Sequence, residues 1–151
     1  MQNFDKKDMA ILRRMQADSS VAVADLAEEI GLSVNACWRR VRRLQDEVVT
    51  KQVAILAPET FGYGLTAFVS VRTNEHNEDW LAQFSLGISQ ISEVVEFYRL
   101  SGQYDYLLKI LAKDIADFDR VYKRVIKIAP LSDVTSSFAM ERIKSTTALP
   151  L

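Results

Sequence analysis

Four arginines, Arg39, Arg40, Arg42 and Arg43, fall within five residues of the stretch SVNACWRRVRRLQDE (33–47), in a chain whose formal net charge is only −1. A guanidinium is a permanent cation with five N–H donors in a planar fork, suited to phosphate oxygens or to the O6/N7 edge of guanine. At helical spacing Val34, Cys37, Val41, Leu44 and Val48 share one narrow arc, and the arginines fall on the other side with Asn35 and Ala36 of the first turn. Ser33 supplies an N-cap hydroxyl at the same end. The default for such a cluster is a solvated face, and a membrane-surface helix needs a broader apolar side than this one has. Placed on the third helix of a helix-turn-helix, the strip is instead expected to contact duplex DNA. Asn35, Ala36 and Arg39 are expected nearest the bases, beside Ser33, with Arg40, Arg42 and Arg43 more on phosphates; sequence alone does not sort the two kinds of contact.

A second constellation is Ser101, Gly102, Gln103, Tyr104 and Asp105. Gly102 between two strands serves a hairpin turn, and the residues around it can offer backbone N–H groups and a carboxylate to the two charged ends of an amino acid. Other chemistry is sparse. One cysteine and one histidine cannot assemble a structural zinc site, so no metal and no cofactor are expected. Cys37 lies on the packed face as buried filler, and Trp38 at its flank is expected in the core. His76, in the polar loop TNEHNED, is expected to be solvent-exposed without a role. There is no nucleophile elbow and no phosphate-cradling Gly-rich loop, so the chain is not expected to be an enzyme.

The elements that position these residues follow from periodicity. Residues 5–17 have helical spacing, stopped by Asp18-Ser19-Ser20, and residues 23–30 form a short second helix closed by Gly31. The third helix follows Ser33, completing helix, short helix, Gly-containing turn, helix. Residues 51–57, KQVAILA, read as short and extended, and Pro58, Gly62 and Gly64 punctuate a connector. Strands are then expected at 65–73, 93–100, 104–112 and 133–142, with helices over 77–88 and 114–128. The order βαββαβ folds into a four-stranded antiparallel sheet with two helices on one face. Apolar residues on both sheet faces predict that the bare face buries against a second copy, giving a homodimer. Neither half of the chain is a charged tail, since residues 1–50 hold eight basic and eight acidic side chains. With no apolar run long enough for a membrane span and an acidic, charged start, the expected location is cytoplasmic, with no membrane partner.

The strings ACWRRVRRL (36–44), GYGLTAF (62–68), SGQYDYLLK (101–109) and TTALP (146–150), in this order, resemble the Lrp/AsnC (leucine-responsive/AsnC) family of prokaryotic transcription regulators, over nearly the whole chain. The stretches DVTSSFAMERIK and LTAFVSVRTNEHNEDW are more similar to a subgroup that includes a cysteine-responsive activator of cysteine breakdown. The resemblance implies an α+β architecture in three parts: a winged helix-turn-helix DNA-binding domain (1–50), a linker strand or hinge (51–63), and a ferredoxin-like βαββαβ RAM domain (64–151) for effector binding and oligomerisation. It implies a regulator of amino-acid metabolism genes, assembled as dimers and often octamers. Its small effector, usually an amino acid, would lie in a crevice between dimers lined by the 101–105 loop, with Thr146 and Thr147 approaching it. Two further readings are a RAM-type sensor that pairs with relatives without its own operator, and an enzyme similar to the siroheme decarboxylases, which the single His76 fits badly.

Three positions depart from the family pattern. Val48-Val49-Thr50 stands where a Gly-Val-Ile turn is usual, and Ala22 where many members have a hydroxyl cap, a loss of about 1 kcal/mol. Gln103 replaces the acid of a Gly-Asp-Tyr-Asp loop, so it offers an ammonium group no full negative charge.

Overall fold

A computed structural model describes residues 4–151. The chain divides into two compact units, Met1–Ile55 with Lys144–Leu151, and Leu56–Ile143.

In the first unit α1 spans Lys6–Ala17, α2 Val23–Ile30 and α3 Val34–Glu47. Asp5 and Asp8 start α1 with a reciprocal capping box, each side chain accepting from the other's backbone N–H. Ala22 gives α2 no side-chain cap, as expected, and Gly31 ends that helix in the left-handed region at φ 69°, a conformation costly for a residue with a Cβ. Ser33 caps α3 by accepting from the Ala36 N–H at 3.3 Å. Ser33→Ala is expected to cost about 1 kcal/mol of unfolding free energy, measurable as a lower urea midpoint with unchanged slope. The three helices close over Ile11, Leu12, Leu26, Ala27, Cys37, Val41 and Leu44. Burial pushes the Cys37 thiol pKa up, so the buried-filler reading of Cys37 fits its surroundings.

Three expectations for this part need correction. Trp38 is 53% exposed and Val34 and Val48 are exposed too, because among the described residues no helix covers that flank of α3. Residues 51–57 form no strand. Val53 and Ile55 alternate correctly, but among the described residues their backbone has no ladder partner, and a lone strand leaves its N–H and C=O groups to water. Pro58–Phe61 is a single 3-10 turn. Finally, Lys144–Leu151 belongs to the first unit rather than to the sheet unit. Gln16 and Leu149 exchange two hydrogen bonds, and Arg13 Nε donates to the Leu151 carbonyl at 2.8 Å.

In the second unit β1 (Leu65–Arg72), α4 (Glu78–Ser89), β2 (Val94–Arg99), β3 (Tyr106–Ala112), α5 (Ile115–Val125) and β4 (Asp133–Phe138) follow in the expected order. The sheet runs β2-β3-β1-β4 and every pairing is antiparallel. Period-2 alternation sends Ala67, Val69 and Val71 with Tyr106, Leu108, Ile110 and Ala112 to one face. There they bury with Trp80, Phe84 and Ile88 of α4 and with Phe118, Val121 and Val125 of α5. Trp80 stacks on Phe84 at 4.8 Å between centroids, and its indole N–H donates to the Pro130 carbonyl at 3.1 Å. The opposite face carries Phe68, Leu107, Leu111 and Tyr98, with an ion pair from Lys109 Nζ to Glu96 Oε1 at 2.7 Å.

Candidate nucleic-acid interface and effector loop

The arginine strip is not uniform. Arg40 lies three residues after Cys37 and four before Leu44, both buried, so on the helix it borders the packed face rather than opposing it. From that border its Nη1 donates to Asp5 Oδ2 and to Asp8 Oδ1, both at 2.7 Å. Arg43, one turn further on, pairs through Nη2 with Asp8 Oδ2 at 2.6 Å. The expectation that all four guanidinium groups stand free is therefore corrected for Arg40 and Arg43. Among the described residues neither Arg39 nor Arg42 has an ion-pair partner, and both are exposed, as are Ser33 and Asn35. Ala36 is half-buried. A groove of about 500 Å³ runs beside this face, lined by Asp5 and Asp8, by Arg39, Arg40 and Arg43, and by Leu32 and Ala36.

Asp8 is the residue that sequence reading missed. Its side chain is only 3% exposed, and an unpaired carboxylate there would be costly. Burial pushes its pKa up, but hydrogen bonds from Arg43 and Arg40 outweigh that and hold the carboxyl below its ordinary 3.8. The Asp8 N–H and then Arg40 hold Asp5 low as well, and the two carboxylates raise Arg40 further. The signal was present in the spacing Asp5-x-x-Asp8, a capping box that fixes both acids at the start of α1. A carboxyl lowered in the fold lends stability that is complete above the unfolded value of 3.8 and is lost as pH falls through the folded value. The urea midpoint of the chain is thus expected to fall as pH drops below about 4, and to fall less in Asp8→Asn, with circular dichroism as the readout.

In the sheet unit, Ser101, Gly102 and Gln103 form an exposed turn between β2 and β3, with Tyr104 and Asp105 half-buried at its foot. The Leu100 N–H donates to the Asp105 carbonyl at 2.7 Å, closing the turn. Arg72, at the end of β1, holds the loop by donating from Nε and Nη2 to the Gln103 carbonyl at 2.9 and 2.6 Å. Its guanidinium also lies 5.6 Å from the Tyr104 ring centroid. The Tyr104 hydroxyl meets Thr135 Oγ1 at 3.1 Å, and Asp105 Oδ2 accepts from the Thr73 N–H at 2.9 Å. Half of the Asp105 carboxylate is thus spent on the scaffold, while Gly102 takes φ 155° with nothing within 4 Å of an added Cβ. Thr146 and Thr147 are exposed in the tail of the first unit, so they are not gathered with this loop within one unit. Arg72 at the end of β1, Thr73 just past it and Thr135 of β4 brace it unforeseen, because they are distant in sequence. His76 is exposed, and among the described residues no group of three or more His, Cys, Asp and Glu could hold a metal ion. Among the described residues no helix is long and apolar enough to cross a membrane.

Comparison with known proteins places both halves. Residues 4–45 match the AsnC-type helix-turn-helix domain and residues 66–149 the Lrp/AsnC ligand binding domain. The chain is 43% identical to a glutamate uptake regulatory protein of Zymomonas mobilis, over all of this chain and 93% of that protein. It is also 43% identical to the DNA-binding transcriptional activator DecR of Escherichia coli, covering 98% of this chain and 99% of that one. Among solved structures, an AsnC family regulator from Agrobacterium tumefaciens superposes with TM-score 0.93 at 49% identity, covering 97% of each chain. A Neisseria meningitidis regulator in complex with L-Met gives 0.92 at 32%, covering 98% of this chain and 97% of that one. With both domains matched in order and relatives aligned end to end, the chain belongs to the Lrp/AsnC family of transcriptional regulators.

Proposed function

We propose that this regulator binds operator DNA through the open face of α3, with Arg39, Arg42, Asn35 and the Ser33 end of the helix at the duplex, and that an amino acid bound near the 101–105 loop adjusts that binding. The observation that carries the reading is the pair of exposed guanidinium groups on α3, Arg39 and Arg42, that have no ion-pair partner among the described residues. An α-helix fits the major groove, and free arginines at that distance reach guanine edges or flanking phosphates. The effector reading draws on Gly102 and its braced loop, and on the L-Met bound by the Neisseria relative. The genes controlled are those of amino-acid metabolism, in keeping with a relative named for glutamate uptake.

The oligomer belongs to the same proposal. Phe68, Leu107 and Leu111 on the uncovered sheet face are buried by the same face of a second copy, and dimers associate further, as in an octamer. A dimer sets two recognition helices about one DNA turn, roughly 34 Å, or a multiple apart, so its operator is roughly palindromic. Effector shifts the assembly only by binding one arrangement more tightly than another.

Two measurements test this. Gel shifts with DNA from upstream of the chain's own gene are expected to show a retarded complex that survives competitor; no complex favours a sensor that acts only by pairing with relatives. Thermal-shift screening against the twenty amino acids, cysteine, methionine and glutamate included, is expected to find one that raises the melting temperature. No shift with any of them removes the amino-acid effector.

A further inference from the structure

We propose that Asp8 is a specificity-determining positioning residue: it withholds Arg40 and Arg43 from phosphate, so the recognition helix grips DNA with fewer ionic contacts than its four arginines suggest. This rests on the DNA-binding reading above.

Both oxygens of Asp8 are engaged, Oδ1 by Arg40 and Oδ2 by Arg43, at 2.7 and 2.6 Å. The competition with an arriving phosphate is unequal. A phosphate at the surface is hydrated and screened by salt, whereas Asp8 is almost wholly buried, and stripping its partners would leave a buried charge uncompensated. Asp8 is also preplaced. Its Oδ2 accepts from the Asp5 N–H at 3.3 Å, so the capping box holds the carboxylate at a fixed point at the start of α1. The groove beside α3 therefore sets two carboxylates against three guanidinium groups, and a phosphate entering it meets little net charge. Non-specific binding is almost all phosphate neutralisation. Tethering two arginines thus lowers affinity for arbitrary DNA more than for a site read by Arg39 and Arg42, and the discrimination between the two rises.

The test is fluorescence anisotropy with a random-sequence duplex over 50–200 mM salt, on the full chain, with circular dichroism confirming the fold. Asp8→Asn keeps shape but removes the charge that holds Arg43 and one of the two that hold Arg40, the other being Asp5. It is expected to steepen the log K against log salt slope by about 0.9 per released arginine for each bound recognition helix, roughly a threefold larger loss across that range for each. Arg43→Gln in an otherwise unaltered chain is expected to leave the slope unchanged. A slope flatter by about 0.9 in Arg43→Gln overturns the proposal, because Arg43 would then be on a phosphate already. So does an unchanged slope in folded Asp8→Asn. Should Asp8→Asn fail to fold, Arg43→Gln alone decides. A wild-type chain that binds no duplex at 50 mM salt removes both this inference and the DNA reading beneath it, whereas failure in the variants alone removes only the role of Asp8.

Discussion

Replacing Arg39 and Arg42 together by alanine is expected to weaken operator binding by on the order of a hundredfold or more while leaving fold and oligomer intact. Each guanidinium on a base edge contributes about 1–3 kcal/mol of discrimination, and one on a phosphate steepens the salt dependence. Neither side chain makes an ion pair among the described residues, so removing them leaves no buried partner unsatisfied. Equilibrium titration of a labelled operator measures the loss, and sedimentation checks the assembly. The two arginines also separate the kinds of contact. If Arg39 reads a base, Arg39→Ala relaxes preference at one operator position; if it neutralises a phosphate, affinity falls evenly across sequences and the salt slope flattens by about 0.9. Unchanged affinity in the double variant would take the open face of α3 out of the interface.

Gly102→Val is expected to abolish the response to effector and to leave DNA binding without effector within about threefold, roughly 0.7 kcal/mol at 1.4 kcal/mol per decade. The reason is backbone rather than space. An added Cβ meets nothing within 4 Å, but φ 155° is a conformation L side chains rarely adopt, and forcing it costs roughly 1–3 kcal/mol. The chain avoids that cost by re-folding the exposed turn, which displaces Ser101 and Gln103 from the Arg72 guanidinium while Thr73 and Thr135 still hold Asp105 and Tyr104 at its foot. A ligand at a hundredfold its dissociation constant stabilises the native state by about 2.7 kcal/mol, and this increment disappears in thermal melts of the variant. A normal effector response would place the binding site elsewhere.

Most of the fold was legible because each element satisfies local rules and tertiary needs together. Asp18, Gly31 and Ser33 punctuate the three helices where composition said they should. In the sheet, alternation such as that of Ala67, Val69 and Val71 identified both strand and inward face. What failed was whatever depends on a neighbour. Residues 51–57 carry a strand pattern, but pairing, not pattern, makes a strand, and among the described residues none pairs with them. Trp38 has the hydrophobicity of a core residue and stays exposed because, among the described residues, no helix lies over that flank. Arg40 and Arg43 read as free cations because a helical wheel shows one helix at a time, and their partners stand on α1. At the loop, Gly102 was visible from its type alone, whereas the bracing from Arg72 and Thr135 required the strand order β2-β3-β1-β4. The tail offered no periodicity, so its hydrogen bonds to Arg13 and Gln16 had no signature to read.

A cationic helix face, left open by the packing of three helices, is expected to take hold of duplex DNA. The most direct test is equilibrium titration of the unaltered chain against DNA from upstream of its own gene at 50 and at 200 mM salt. The expected result is tight, competitor-resistant binding at the lower salt that weakens by about tenfold or more at the higher, since even two phosphate contacts displace that many counterions. Binding that is absent at 50 mM salt, or indifferent to the change, would contradict it.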